Sequence, residues 1–253
     1  MKKILMPAVL LAAAGVTGAA HAASVNFATD PLVPLGDTGV TEITFDTITA
    51  TAYYDPTNDG NNDWVSGPNA GSDATLWRRN NPQDHGLGVC SRVIGAVEEQ
   101  CASNGNFNEL SQRLVDEAIG LTKENASEKW TGLWVSSLDG SESGTLWWGD
   151  GDANSVIGGS NTFVFTFGDF GTAVEGNLFD LAGFASLSTA VGDANNLYFT
   201  PSGSIGDDND YLVYAAATDN GGFPGGVVPV PAAVWLFGSG LLGLVGIARR
   251  RKA

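Results

Sequence analysis

The chain has 253 residues, with 12 Lys+Arg against 28 Asp+Glu and a formal charge of −16. Six of the cations, Lys2, Lys3, Arg249, Arg250, Arg251 and Lys252, sit at two ends that hold no acid, so the body between them has six cations against 28 acids, −22. This balance excludes a nucleic-acid binder working through a basic patch and argues against docking on an anionic membrane surface, while 43% hydrophobic and 16% charged residues suit one sizeable core rather than an acidic disordered chain.

Residues 1–22 (MKKILMPAVLLAAAGVTGAAHA) begin with two lysines, continue with an apolar run to about Ala14 and end on Ala20-His21-Ala22. That order reads as a secretory signal peptide with an A-x-A site for signal peptidase. Its apolar run is well short of the ~20 residues that span a bilayer. The segment is therefore set apart from the fold.

Residues 23–226 read as one β-rich ectodomain. Thr41 to Tyr54, rich in Thr, Ile and aromatics, predicts one bent strand or two short ones. The following loop, Asp55 to Asp63, packs Asp55, Thr57, Asp59 and Asp63 around Gly60, a supply of oxygen ligands suited to Ca²⁺. It starts like an EF-hand loop and then departs from it, with Thr57 at position three and Ser66 in place of the bidentate Glu. Asp150-Gly-Asp152-Ala-Asn154 and Asp207 to Asp210 are shorter acidic clusters of the same kind; Asp, Asn and Gly are equally the residues of plain turns.

Cys90 and Cys101 are the only cysteines, and in an exported protein such a pair predicts a disulfide worth about 2–4 kcal/mol. Asn108 to Thr122 predicts a short helix or turn over 108–115, then a strand. Thr131–Ser137, Thr145–Trp148 and Thr162–Phe167 are further strands. In the last of these, Phe163, Phe165 and Phe167 alternate with Thr162, Val164 and Thr166, the pattern of a half-buried strand. Leu181–Thr189, Leu197–Thr200 and Tyr211–Thr218 follow, separated by Gly, Asn and Asp. Many short strands between turns predict an all-β fold, an antiparallel β-sandwich or jelly roll.

The chain closes with three parts in order. Val228-Pro229-Val230-Pro231-Ala232 is stiff and extended, because each proline fixes its φ and biases its predecessor away from helix. Ala232–Ala248 holds no charge and is at the lower edge of a transmembrane helix. Arg249, Arg250, Arg251 and Lys252 then hold that end in the cytoplasm. The body consequently lies outside the inner membrane.

Motif, helix and basic tail together closely resemble the PEP-CTERM family of sorting signals, in the variant reading V-P-x-P-A, with Val230 where the eponymous form has Glu. The resemblance covers residues 227–253. It implies recognition by an exosortase-type membrane protease, removal of the tail, and delivery to the envelope or the extracellular, biofilm matrix of a Gram-negative bacterium. Gly86-Leu87-Gly88-Val89, then Asn108-Glu109-Leu110, then a strand from Glu117 is similar to the bodies of many PEP-CTERM proteins, which implies a β-sandwich and no known activity.

Catalytic chemistry is thinly provided. The mature body has one histidine, His85, no G-x-S-x-G, and no lysine or arginine between Trp130 and Ala248 to stabilise an oxyanion. No catalytic residue is assigned, and the expected function is a structural or adhesive, non-enzymatic surface protein, with Ca²⁺ as a candidate stabilising ion. The alternative is a carbohydrate-binding module for exopolysaccharide; a secreted glycan-active enzyme using paired carboxylates is third. For sugar stacking the candidates are Trp147 and Trp148, which as neighbours in a strand face opposite ways.

Overall fold

The computed structural model describes residues 24–30, 36–57, 61–67, 73–80, 85–92, 110, 115–138, 140, 142–170, 179–180, 191–203 and 210–219. The expected signal peptide, sorting motif, transmembrane helix 232–248 and basic stop lie outside these residues. So do Asp59, Cys101, the strand expected at 181–189 and the cluster at 207–209.

Alternating side chains build the strands of two sheets. One contains β1 (Ser24–Asn26), β2 (Gly36–Asp37), β5 (Asp73–Asn80), β6 (His85–Arg92), β8 (Trp130–Ser136), β11 (Phe179–Asp180) and β13 (Leu212–Thr218). The other contains β3 (Glu42–Phe45), β4 (Ile48–Asp55), β7 (Asp116–Lys123), β9 (Ser143–Gly149), β10 (Thr162–Thr166) and β12 (Asn196–Pro201). In the first sheet the order is β11-β8-β13-β6-β5-β2, with β1 also on β13; in the second it is β10-β9-β12-β7-β4-β3. The paired strands run antiparallel throughout. The molecule is an all-β sandwich.

The inner faces of both sheets meet in one core. The second sheet contributes Ile48, Ala50, Ala52, Tyr54, Ile119, Leu121, Leu146, Phe165, Leu197 and Phe199; the first contributes Leu76, Leu87, Val89, Leu133, Val135 and Val213. Full burial of each large aliphatic or aromatic side chain here is worth about 1.5–3 kcal/mol. Edge-to-face ring pairs add to it, Phe27 with Phe45 at 5.1 Å and Phe165 with Tyr211 at 5.3 Å. The second pair depends on Gly144, where a Cβ would come within 2.3 Å of the Phe165 ring. Tyr211 donates its hydroxyl to the Thr200 carbonyl at 3.0 Å, and burial pushes its pKa well up.

Thr41–Tyr54 resolves into two strands. Asp46 takes φ 54°, and β3 turns into β4 through Asp46 and Thr47 with Phe45 paired to Ile48; Asp is among the few side chains that tolerate this left-handed region. The expected alternation in β10 is present, with Phe165 fully buried and Val164 54% exposed. Of the residues 108–115, where a helix or turn is expected, Leu110 and Val115 are described, and Leu110 forms a β-bridge to Tyr211, its N–H donating at 2.9 Å. The expected strand after it is β7.

Candidate functional site

Strand register gathers a polar-aromatic row on the outer face of the second sheet. Thr51 lies opposite Gly120, Gly120 opposite Tyr198, Tyr198 opposite Trp147, and Trp147 opposite Thr162. One row along, Thr200 faces Thr145 and Thr145 faces Val164. Gly120 is the small member that lets its neighbours close over it: a Cβ there would stand 2.8 Å from the Tyr53 ring and 3.0 Å from the Tyr198 ring. Those rings meet edge to face at 5.9 Å. Burial is the leading cause of the upward pKa shift of both tyrosines, and the Tyr198 hydroxyl donates to the Gly151 carbonyl at 3.0 Å.

Two connecting segments cover part of this face. Residues 61–67 are anchored where Val65 exchanges backbone hydrogen bonds with Tyr54, at 3.0 and 3.1 Å. Val65 packs towards the main core, which sends its neighbour Trp64 to the outer side. The β9–β10 connection carries a one-turn helix, α1 (Ala153–Val156), whose N-terminus is capped by Asp152 accepting from the Ser155 N–H at 3.0 Å. Trp64, Ala118, Ala153, Val156, Ile157 and Tyr198 form a second apolar cluster beneath the two segments, with Tyr53 and Trp147 at its margin. Asn154 Nδ2 ties the segments together by donating to the Trp64 carbonyl at 3.0 Å.

A cleft of about 420 Å³ opens beside this cluster, in the range of small-ligand sites. Trp64, Trp147, Ile157 and Val164 give it apolar walls, and Asn62, Asp116, Thr145, Thr200 and Ser202 give it polar ones. Trp147 is half-buried and its Nε1 donates to Thr200 Oγ1 at 2.9 Å, fixing the indole in its plane. Trp64 is 6% exposed, and its Nε1 has no hydrogen-bond partner among the described residues. Among the described lining residues Asp116 is the one ionisable group. A second cleft, about 390 Å³, lies on the other side of α1 beside Trp148 and Asp150.

The two tryptophans predicted to diverge do so. Trp147 belongs to the outer face, whereas Trp148 packs against the main core. Described members of the acidic clusters accept from nearby protein donors. Asp55 is buried and its Oδ1 accepts from the Thr57 N–H and hydroxyl, both at 3.0 Å, while Thr57 and Asp63 are exposed. Asp150 accepts from the Asn195 N–H at 3.1 Å. Among the described residues no three His, Cys, Asp or Glu side chains gather as a metal site. Cys90 is buried on β6; its predicted partner and the His85 side chain are outside the description.

The sequence did not single out Trp64, Tyr53 or Tyr198. Their convergence follows from register and from a loop that folds back, and the one local hint is a glycine, Gly120, inside a strand of otherwise larger residues.

No protein-family model matches the chain, and no curated protein matches it. Among solved structures it is similar to a DUF4465 family protein from Bacteroides caccae ATCC 43185, at 13% sequence identity and a TM-score of 0.30, over 78% of this chain and 97% of the other.

Proposed function

We propose that this is an exported surface or matrix protein of a Gram-negative envelope, whose non-enzymatic β-sandwich serves structural or adhesive ends. The observation that carries the reading is the ordered C-terminus, Val228 to Ala232, the uncharged stretch 232–248 and Arg249 to Lys252. A stiff motif outside the membrane, a short apolar helix and a cytoplasmic basic stop present a protease in the membrane with a defined cleavage region. An exosortase-type protease is the processing partner at that end, and signal peptidase at the other. The two-sheet body supports a scaffold role, because its strands are paired along both sheets and many of its large apolar side chains fill the core between them.

External protease tests the placement. In intact spheroplasts, protease added outside should digest the body, whereas a body protected until lysis would contradict export.

Cations belong to the same proposal. A body of −22 repels itself unless salt or divalent ions screen it, and Asp55, Thr57, Asp59 and Asp63 offer Ca²⁺ a place to bind. The melting temperature should rise in millimolar Ca²⁺ and fall back in EDTA. A midpoint that ignores both would remove calcium from the account. The reading also includes the Cys90–Cys101 disulfide, which two free thiols in envelope-derived protein would disprove.

A further inference from the structure

We propose that the cleft beside Trp147 is a binding site for a neutral saccharide, which gives the scaffold a ligand. Sugars present two kinds of surface at once, a face of C–H groups and a rim of hydroxyls, and the cleft offers the complement of each.

The apolar complement comes from Trp147 and Val164. Trp147 already spends its N–H on Thr200, so what its ring offers the cleft is carbon surface held in one orientation. Val164 lies diagonally across the β9–β10 ladder from Trp147, opposite Thr145, and is 54% exposed. An apolar side chain left this open beside a fixed indole extends the same platform.

The polar complement is made of short neutral groups at the edges. Asn62 and Ser202 line the cleft with Thr200, and Asp116 adds a hydrogen-bond acceptor. The buried Trp64 indole N–H, in the wall of the same cleft, is a donor with no partner among the described residues. The atom is closed off from solvent, so a ligand hydroxyl would reach it through a small shift of the Trp64 ring and would then satisfy a group that the protein alone leaves unpaired. No cation lines the cleft among the described residues, and Asp116 sits within a strongly acidic body. Uronates and sulfated sugars are therefore disfavoured relative to neutral ones. The volume of about 420 Å³ suits one or two sugar residues of a longer chain.

The experiment is calorimetry on the full chain in a detergent without a sugar head group. The probes are neutral tetrasaccharides of β-1,4-glucan, α-1,4-glucan, β-1,4-mannan and β-1,3-galactan, with tetragalacturonate as the anionic comparison. At least one neutral probe should bind with Kd below about 1 mM, and tetragalacturonate at least about tenfold more weakly. Trp147→Ala should cost at least about tenfold in affinity. Val164→Ser, at an exposed position that leaves the core intact, should cost a few-fold. Trp64→Phe keeps most of the ring and removes the N–H; it should weaken binding while leaving the melting temperature unchanged or raised. Absence of binding by every neutral probe at about 10 mM overturns the proposal, as does equal affinity for tetragalacturonate, or affinity that survives both Trp147→Ala and Val164→Ser.

Discussion

Replacing Lys123 by alanine should destabilise the sandwich by about 3–5 kcal/mol, a large share of the 5–15 kcal/mol that holds a typical domain folded. Lys123 is the last residue of β7, and the alternation that buries Ile119 and Leu121 turns it inward too, to 2% exposure. Its ammonium donates to the Glu128 carbonyl and, at 3.3 Å, to the Gly192 carbonyl, and stands 5.7 Å from the centre of the Trp130 ring. Trp130 in turn donates its Nε1 to the Ala194 carbonyl at 3.0 Å, and the buried Glu128 carboxylate accepts from the Thr218 hydroxyl at 2.9 Å. One cation thus joins the β7–β8 connection, the 191–195 segment and the end of β13. Desolvation lowers the Lys123 pKa, against the carboxylates of Asp193, Asp219, Glu128 and Asp150, which favour its charged form.

Truncation leaves two carbonyls without their donor, empties the space of a buried side chain and removes the positive charge near Asp193, Asp219, Glu128 and Asp150, and this is where the large cost comes from. Lys123→Met retains most of the apolar stem and should recover part of the loss, separating packing from charge. Urea unfolding followed by tryptophan fluorescence measures both variants. A Lys123→Ala protein within about 0.5 kcal/mol of the parent, the range of ordinary surface substitutions, would show that the cluster does not hold this end together.

The second large effect is on location. On the proposed reading, deleting Val227 to Ala253 should leave the body secreted but mislocalised, because the segment read as an export signal, residues 1–22, is kept while the proline motif, apolar stretch and basic cluster are gone. The described core includes residues from Val25 to Ala216, so truncation at 226 keeps every described side chain that fills it. Converting Arg249, Arg250, Arg251 and Lys252 to glutamine should reproduce part of the defect by removing the charges proposed to hold that end in the cytoplasm. Fractionation of cells and medium reads both variants, and an unchanged distribution of the deletion variant would count heavily against sorting by this end.

Much of the second sheet was legible because its strands are half-buried and alternate cleanly. Phe163 and Phe165 against Thr162 and Val164, and Leu146 against Thr145 and Trp147, assign inside and outside before any contact is known. β5 and β6 were not read as strands. In β5, Arg78 and Arg79 look like a solvated segment, yet Arg78 is 9% exposed because its guanidinium Nε donates to the Ala28 carbonyl and another of its nitrogens to the Asp30 carbonyl, both at 2.9 Å. Burial lowers its pKa and the Asp30 carboxylate opposes that shift, and the distant backbone acceptors help to make the buried position tolerable. In β6, Gly86 and Gly88 weaken the strand signature. Gly86 has φ 138°, and a Cβ on it would stand 2.6 Å from the Val213 carbonyl oxygen, a close approach made by a strand far along the chain.

The cleft was less visible for a similar reason. Trp147 could be picked out beside Trp148, but Trp64 reaches the same face only because Val65 pairs with Tyr54, and Tyr198 only because β12 lies between β7 and β9. Leu110 makes the opposite point. The four-residue spacing of Leu110 and Leu114 fits a helical turn, and a bridge to Tyr211 overrides it at Leu110.

Processing at both ends is the claim on which the rest depends, and mass spectrometry of the two termini of protein from the fractionated envelope and medium tests it most directly. The account predicts a mature chain that starts at Ala23 and ends near Val228 to Ala232, without the apolar stretch or Arg249 to Lys252. A chain recovered outside the inner membrane with Ala253 still in place would contradict it, as would one that still begins at Met1.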